Sequence, residues 1–598
     1  MMNWNEQLTE SAIWIAQAYV ITLAGFLLAT WVLARTTVWG RHFWALTGGY
    51  FASREARARL AFILLLTLAG VRLDVLITNW YNGMYTSLQN LDAKAFWASM
   101  MIFSVLATVH VVRTLLNFYV QQSFTIRWRA WFNDHMLGQY LDGAAYYRTH
   151  FLPSDAQADN PDQRIQQDIQ AVVSDTLSLS MGTVSAVVSI IAYTGILWSL
   201  SGSVHVAGYE IPRGMIFVAY IYVLIATSFA FWIGRPLVRL QYLAERFSAD
   251  YRYMLVRLRE YSESVAFYAG EKIEGELLSS AFGRIILNAW QIQFRSIKFQ
   301  GFNLGVSQAA VVFPFIIQSP RFFSKQITLG DLMQTSQAFG ALSDNLSFFR
   351  TSYDTFATYR ACLNRLSGFT EAIVQAGALP RPSVREEDGR VALQSLTVRM
   401  PDGQLMLDDT TLDIPAGKPL LIRGRSGTGK TTLLRALAGL WPYCSGEIVR
   451  PTGSVLFLSQ KPYLPLGTLR EVLYYPQSAP AGAAGTDERA RQALLDVQLD
   501  HLAERLDETA DWTRILSGGE QQRLAFGRLL LAKPDAAFLD EATSAMDEGM
   551  EDAMYRLMTE RLPGSVLVSV GHRSTLLKHH AMELDLLGQG KWVWRVLA

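Results

Sequence analysis

Apolar runs alternate with short basic segments over the first 360 residues. The run from Ala12 to Leu33 is long enough to cross a bilayer as a helix, because about 20 residues span the hydrocarbon core. Further apolar stretches cover residues 60–80, 98–120, 179–200, 215–233 and 302–318, and a less hydrophobic, amphipathic stretch covers 331–359. The pattern predicts one extra N-terminal span followed by six core spans.

Arginines mark one side of these spans. They cluster between the first and second spans, after the third and after the fifth, at Arg35, Arg41, Arg54, Arg57, Arg59, Arg127, Arg129, Arg235 and Arg239. Connections rich in arginine and lysine face the cytoplasm. Seven crossings from a periplasmic N-terminus also leave residue 360 in the cytoplasm. The loops and the number of crossings therefore predict the same orientation.

The chain changes character after the spans. Around residues 376–389 the composition shifts to Gly, Pro, Arg and Glu, as in linkers. The predicted linker, 371–388, separates a transmembrane domain (1–370) from a soluble α/β domain (389–598). Charged residues make up only 18% of the chain, fewer than in a typical soluble enzyme, which agrees with embedded surface. The net charge of +1 gives no reason to expect a nucleic-acid partner.

A phosphate-binding loop opens the soluble domain. The segment Gly424 to Thr431 fits G-x-x-x-x-G-K-[ST], follows an apolar strand-like run and precedes a helical pattern. In such loops backbone N–H groups cradle phosphates, the lysine reaches the β- and γ-phosphates, and the hydroxyl can bind Mg²⁺. The residues expected to contact a nucleotide are Gly424, Arg425, Ser426, Gly427, Thr428, Gly429, Lys430, Thr431 and Thr432.

Two carboxylates follow a second apolar run. Residues 536–539 predict a buried strand, and Asp540 and Glu541 come directly after it. In a parallel sheet these side chains lie at the same edge as the phosphate loop. Asp540 would hold Mg²⁺ through water, and Glu541 would act as general base on the attacking water. The alternative is an acidic helix cap.

The stretch from Leu516 to Glu520 (LSGGE) decides between these interpretations. Its serine and glycines at a helix start form a second anion-binding site for a γ-phosphate. With this motif the chain resembles the ATP-binding cassette (ABC) family along its whole length. The resemblance implies catalytic roles for Glu541, His572 and Gln460, Mg²⁺ ligands at Thr431, Gln460 and Asp540, and nucleotide contacts at Ser517, Gly518, Gly519, Glu520 and Asp547.

One position departs from the family pattern. Members usually place an aromatic residue about 25 positions before the phosphate-loop lysine to stack on adenine, and residues 398–404 contain none. Met400 or Leu405 is expected to supply an apolar contact instead. The selectivity for the base is therefore open.

Two groups within the family share further segments. Trp512, the run 520–526 and the run 569–573 resemble the peroxisomal fatty-acyl transporters of subfamily D, as does the acidic motif at 263–271. In the membrane part, residues 327–334 and 346–349 are similar to the SbmA/BacA-type (BclA- and YddA-like) peptide and cobalamin transporters with a fused ATPase. The resemblance implies an exporter-fold half transporter of a bacterial inner membrane, with the ATPase domain in the cytoplasm.

Polar residues inside the predicted spans fall on single helix faces. A charged group at the centre of a bilayer costs about 2.5 to 3.5 kcal/mol, so such residues face protein or water. They are Asp74, His110, Arg113, Asn117, Gln334, Gln337 and Asp344. They either line a water-filled cavity for polar cargo or form hydrogen bonds that lock the helix bundle.

The sequence therefore predicts an α-helical transmembrane domain followed by an α/β ATPase domain that binds ATP and Mg²⁺. One phosphate loop and one LSGGE motif per chain predict a dimer, most simply with a second copy of the chain. The expected function is ATP-driven import of peptides or other hydrophilic solutes. A fatty-acyl or acyl-CoA transporter, and an ABC protein that gates or regulates a channel, are the alternatives.

Overall fold

The structure is a computed structural model that describes residues 4–154, 156–157, 160–201, 204–206, 209–211, 213–387, 389–479 and 486–597. The chain divides into two compact units, which are described separately. The first comprises Met1–Leu141 and Ala158–Glu371, and the second Asp142–Gln157 and Ala372–Ala598.

Helices build the first unit almost entirely. In chain order, with the short α5 that belongs to the second unit, they are α1 (Trp4–Thr36), α2 (Val38–Phe51), α3 (Arg54–Gln89), α4 (Ala93–Leu141), α5 (Ala145–Arg148), α6 (Pro161–Gln163), α7 (Ile169–Leu200), α8 (Gly214–Glu260), α9 (Ser262–Phe267), α10 (Glu271–Phe323), α11 (Leu329–Thr351) and α12 (Tyr353–Ala378). A small antiparallel hairpin, β1 (Val204–Val206) and β2 (Tyr209–Ile211), connects α7 to α8.

Six helices among the described residues are long and apolar enough to cross a membrane. They contain the predicted N-terminal span and the next five, within Gln7–Thr36, Arg54–Gln89, Ala93–Phe151, Pro161–Leu200, Ile216–Glu260 and Glu271–Phe323. The helical fold of this region is confirmed. The amphipathic seventh stretch forms α11 but is not among the six, because it carries Asp331, Gln334, Gln337 and Asp344. Its crossing of the membrane stays a prediction.

The weakly hydrophobic α11 lies in the core of the first unit. Ala338, Phe339 and Leu342 are fully buried and share one apolar cluster with residues of α3, α7 and α8. By contrast, the most apolar segment of α4 is almost unburied within this one chain. Helices that face lipid need an apolar surface. A helix packed among other helices can carry polar side chains, because these find hydrogen-bond partners on its neighbours.

The second unit is an α/β domain. Its strands are β3 (Ser383–Glu386), β4 (Arg390–Arg399), β5 (Leu405–Pro415), β6 (Leu420–Gly424), β7 (Cys444–Arg450), β8 (Val455–Leu458), β9 (Gly467–Thr468), β10 (Thr509–Ala510), β11 (Ala536–Asp540), β12 (Val566–Val570), β13 (Met582–Gly588) and β14 (Lys591–Val596). Its helices after α12 are α13 (Lys430–Leu437), α14 (Leu469–Tyr474), α15 (Thr486–Asp496), α16 (Trp512–Ile515), α17 (Gly518–Ala532) and α18 (Glu548–Arg561).

A six-stranded sheet forms the centre of this domain. Its order is β14-β13-β6-β12-β11-β8, and every neighbouring pair is parallel except β13 with β14. Successive side chains of a strand point to opposite faces, so Leu420 and Ile422 pack with α13 and the four-stranded sheet β3-β7-β4-β5. Leu421 points the other way, into a cluster with α14, α15, α17 and α18. The strands are therefore buried on both faces.

The segment between α4 and α7 contributes part of its chain to the second unit. Phe151 packs edge-on against Trp441, with ring centroids 5.1 Å apart, and its carbonyl accepts a hydrogen bond from the Tyr443 hydroxyl at 3.1 Å. Arg148 is 3% exposed, and its guanidinium donates to the carbonyls of Ala376, at 2.9 Å, and Leu379. Arg148 thus adds donors to carbonyls at and just beyond the end of α12, where the regular hydrogen bonds of the helix stop.

Replacing Arg148 by methionine should lower the stability of the second unit. Arg148→Met keeps an aliphatic stem but removes the hydrogen bonds from the charged guanidinium, each of which contributes about 1.5–3 kcal/mol. We expect a lower midpoint of thermal unfolding in detergent than for the native chain.

The matched control is Arg489→Met, because Arg489 is exposed on the same unit. Equal midpoints for Arg148→Met and the control would show that the Arg148 hydrogen bonds do not contribute to stability.

Candidate functional site

Four neighbouring parallel strands bring the predicted catalytic groups to one edge of the sheet. The phosphate loop follows β6, His572 follows β12, the two carboxylates end β11, and Gln460 follows β8. The strand register sets the height of these groups along the sheet edge, because Val570 of β12 lies opposite both Asp540 and Ile422. Segments far apart in sequence are therefore adjacent only because these strands pair in parallel.

Glycine is required at two points of the phosphate loop. Gly424 has φ 142°, and a Cβ there would lie 2.6 Å from the carbonyl oxygen of Leu586. Gly429 has φ 99° and immediately precedes α13. These conformations turn the loop so that α13 begins directly at the sheet edge, where its N-terminus attracts anions.

Lys430 is the buried cation of the loop. It is 7% exposed, and its Nζ donates to the carbonyl oxygens of Gly424 at 3.0 Å and Arg425 at 3.1 Å. Burial lowers the pKa of its ammonium group, while the charges of Glu541 and Asp540 oppose that shift. Arg425 and Ser426 are exposed at the tip of the loop, whereas Thr432 is buried.

The carboxylates face the other predicted groups. Glu541 has φ 47°, so the chain turns just after β11, and its carboxylate contacts Gln460 Nε2 and His572 Nε2, each at 3.1 Å. Asp540 accepts a hydrogen bond from the Thr431 hydroxyl at 3.2 Å. Burial raises the pKa of Asp540, and the bond from Thr431 opposes the shift. All five residues converge as the motifs predict.

The LSGGE motif forms a capped helix start. Ser517 is the N-cap of α17 and shares a capping box with Glu520, whose pKa is lowered by hydrogen bonds from the hydroxyl and N–H of Ser517. Gly519 lies so close to Ala545 that a Cβ would be 3.0 Å from its carbonyl oxygen. Asp547 caps α18. Among the described residues no hydrogen bond or ion pair joins Ser517–Glu520 to the phosphate loop.

Comparisons with known proteins agree with these motifs. Residues 46–323 match the model of ABC transporter transmembrane region 2, and residues 407–544 match that of the ABC transporter domain. An uncharacterized ABC transporter ATP-binding protein of Haemophilus influenzae is 48% identical over 594 residues, covering 99% of this chain and 100% of the relative. The chain belongs to the ABC transporter family.

Two further relatives cover most of this ABC transporter. The inner membrane ABC transporter ATP-binding protein YddA of Escherichia coli is 32% identical over 529 residues, 86% of this chain and 91% of its own. The ATP-binding cassette sub-family D member 3 of Mus musculus is 26% identical over 541 residues, 83% of this chain and 79% of its own. The chain is therefore an ATPase coupled to transport, built as a half transporter.

Gln522 connects three parts of the ATPase domain, and the sequence did not reveal this. The residue is 2% exposed, and its Nε2 donates to the carbonyl of Gln460 at 2.9 Å and to the Ser544 hydroxyl at 3.0 Å. Its Oε1 accepts from the N–H of Ala545 at 2.9 Å. Gln522 thus links α17 to the segments beside both carboxylates. The run of glutamines after LSGGE was the available signal.

The two candidate adenine contacts lie at the turn between β4 and β5. Met400 is half-buried and packs against the core under the four-stranded sheet. Leu405 lies beside Gly590, where a Cβ would be 2.7 Å from its Cδ2. The next residue, Met406, lies under Gly429 of the phosphate loop. The residue beside the open edge of the turn is therefore Leu405, an aliphatic side chain.

The polar stripe of α4 faces the interior of the first unit. His110, Arg113 and Asn117 are partly buried, whereas Val111 and Leu115 on other faces are exposed. His110 lies 3.8 Å from the Asp74 carboxylate of α3, and Arg113 donates to the Leu66 carbonyl at 3.3 Å. A cavity of about 300 Å³ adjoins the stripe, lined by Thr67, Arg113, Asn117, Gln121, Leu177, Ser178, Met181, Gly182 and Ser185.

The polar stripe of α11 divides into two parts. Gln334 is buried and exchanges hydrogen bonds with Asn79 at 2.8 Å and Asn82 at 2.7 Å, both on α3. Gln337 and Asp344 are exposed in the single chain. Gln334 thus fits the bundle-locking alternative, while the other two lie on a face that is open to a cavity or a partner.

Replacing Glu541 by glutamine should abolish ATP hydrolysis without loss of ATP binding. Glu541→Gln keeps the shape of the side chain and one acceptor oxygen for the contacts with Gln460 and His572, but it cannot accept a proton. A general base contributes about 10²- to 10⁴-fold, so a turnover rate lower by about that factor is expected. The measurements are phosphate release and a nucleotide-binding titration on the purified chain.

Glu548→Gln is the matched control, since Glu548 lies in the first turn of α18. This control should hydrolyse ATP at the native rate. Near-native turnover in Glu541→Gln would contradict the role of Glu541.

Proposed function

We propose that this ABC transporter imports peptides or other hydrophilic solutes across a bacterial inner membrane. The observation that carries the proposal is the cavity between α3, α4 and α7. Hydroxyl, amide and guanidinium groups line most of it, with Leu177 and Met181 as its large apolar members. Such a lining binds polar cargo better than an extended acyl chain, which would leave those groups without partners.

In the proposed ATPase mechanism the phosphate loop binds the phosphates and Glu541 acts as general base. His572 and Gln460 hold the Glu541 carboxylate from either side, so its lone pairs are aimed before water is bound. Lys430, already buried, neutralises phosphate charge. Preorganisation of these groups requires no rearrangement of the sheet edge.

The residues also fit Mg²⁺. The Thr431 hydroxyl donates to the Asp540 carboxylate at 3.2 Å, and the Gln460 side chain contacts the neighbouring Glu541 carboxylate at 3.1 Å. Mg²⁺ prefers oxygen ligands and is held by one or two carboxylates together with substrate phosphates. When bound, the ion neutralises charge on the β- and γ-phosphates.

We further propose that two copies of the chain form the working unit. Ser517, Gly518, Gly519 and Glu520 start α17, separate from the phosphate loop of the same chain. In a dimer the helix start of one copy would contact the γ-phosphate held by the other, with Asp547 beside it. Closing and opening of this pair would drive the membrane helices, and the ATPase domains would lie in the cytoplasm.

A fatty-acyl or acyl-CoA cargo is the second candidate, favoured by the relative in sub-family D. Arg113 of the cavity could bind a phosphate of the CoA head group. The discriminating experiment measures ATP hydrolysis and ATP-dependent uptake in proteoliposomes with a peptide mixture and with acyl-CoA, using Glu541→Gln as the inactive control. Stimulation and uptake by acyl-CoA alone would refute peptide import. ATP hydrolysis with no flux of any solute would indicate a gating protein.

Cysteine labelling tests whether the polar faces line an aqueous path. In a Cys362→Ser, Cys444→Ser background, Asn117→Cys and Asp344→Cys should react with a membrane-impermeant thiol reagent, because both side chains would lie in water. Leu342→Cys should not react, since Leu342 is fully buried.

Val111→Cys is the control for a side chain that is exposed to lipid and not to water. Val111 is 54% exposed on another face of α4 and would face lipid. Equal labelling at positions 111 and 117 would refute the assignment of α4 faces, and no labelling at 117 or 344 in any nucleotide state would support bundle locking.

A further inference from the structure

Aromatic residues pack α2 against the part of α4 around Trp128. Tyr50 stacks on Trp128 with centroids 5.7 Å apart and an angle of 9°, and Phe43 meets the same ring edge-on at 6.3 Å. Trp128 is fully buried. Trp44 in turn stacks on Phe51 at 6.2 Å. One face of α2 is therefore fixed against the bundle.

Another face of α2 is exposed in the described part of the first unit. Val38, Arg41 and Trp44 recur about one helical turn apart and are exposed, Trp44 by 50%. A short helix that joins two membrane helices and shows an apolar and cationic face lies in the plane of the interface. Tryptophan is enriched at that level because its ring is apolar with one polar N–H group.

The helix rise places the neighbouring arginines at the depth of the lipid head groups. Arg57 lies about one turn and Arg54 about two turns before Leu60, where the apolar run of α3 begins, which is roughly 5 and 9 Å. The head-group layer adds about 5 to 8 Å on each side of the hydrocarbon core. Arg57 therefore lies within this layer and Arg54 at its outer boundary.

Some arginines of this region form an ion pair with a carboxylate, and others do not. Arg59 and Arg127 both pair with the carboxylate of Glu55, at 2.6 and 3.1 Å. No carboxylate of the described residues lies within ion-pair distance of Arg41, Arg54 or Arg57. Glu55 is thus already paired, whereas Arg41, Arg54 and Arg57 are exposed. The Arg57 guanidinium also donates to the carbonyls of Ser53 and Ala52, each at 3.4 Å.

We propose that Arg41, Arg54, Arg57 and Trp44 bind the head groups of anionic phospholipids of the inner leaflet. A guanidinium can donate two parallel hydrogen bonds to a phosphate diester. The exposed Trp44 and Val38 would pack on the glycerol and upper acyl carbons, which a free phosphate ion does not offer. Anionic lipids also attract basic segments at this depth through the surface potential.

Spin-labelled lipids provide the test. The full chain is reconstituted in phosphatidylcholine nanodiscs with a trace of spin-labelled phosphatidylglycerol or phosphatidylcholine, and the motionally restricted fraction is measured. The native chain should show a several-fold preference for phosphatidylglycerol. The triple variant Arg41→Gln, Arg54→Gln, Arg57→Gln should show almost none, and Trp44→Ala should show a smaller preference than the native chain.

The matched control removes three exposed arginines from the part of α8 beyond its predicted span: Arg246→Gln, Arg252→Gln, Arg257→Gln. It should retain the native preference. Full preference in the Arg41 triple variant, or equal loss in the control, would overturn the proposal. So would displacement of the labelled lipid by millimolar inorganic phosphate, because the site would then bind any small anion.

A measurement on the native chain covers the case in which the triple variant does not fold. Salt screens charges at the surface, so the preference should fall steeply as the ionic strength rises. A preference that does not change with salt would refute recognition by these arginines.

Discussion

The parallel pairing of β6, β12, β11 and β8 is the constraint on which the ATPase site depends. Each strand delivers one group at its carboxyl end, and the register sets the height of each group to within one residue. A shift of β11 by a single residue would turn Asp540 to the opposite face and separate it from Thr431. The buried faces prevent such a shift, because Phe538 and Leu539 fill different clusters on the two sides of the sheet.

Local motifs made the ATPase site predictable from sequence. A glycine-rich turn, an acidic strand end and a capped helix start are short, and each one specifies its own backbone, so their residues could be assigned roles directly. Gln522 and Arg148 could not be found in this way. Their partners lie dozens or hundreds of residues away, and an isolated glutamine or arginine has no pattern that separates it from a solvated surface residue.

The membrane part was less predictable from sequence. The hydrophobicity of a helix there indicates how much of its surface other helices leave uncovered, and it does not indicate where the helix lies in the fold. The sequence of α4 strongly predicts a membrane span, because one side of α4 is uncovered in the chain. The sequence of α11 predicts a span only weakly, although its apolar residues are in the core. The polar residues of α4 lie together on a partly buried face. The stripe on α11 combined two different roles, since Gln334 has partners on α3 and Asp344 is exposed.

Transport requires that changes at the sheet edge reach the helices, and the chain crosses between the two units both at the segment 142–157 and within α12. The segment 142–157 belongs to the ATPase unit, yet it continues directly from α4 on one side and toward α7 on the other. Its aromatic contact with Trp441 and its hydrogen bonds at the end of α12 are short and buried, so the segment moves with the ATPase domain. Both α4 and α7 line the polar cavity. A displacement of this segment would therefore reach two walls of the cavity through the continuous chain.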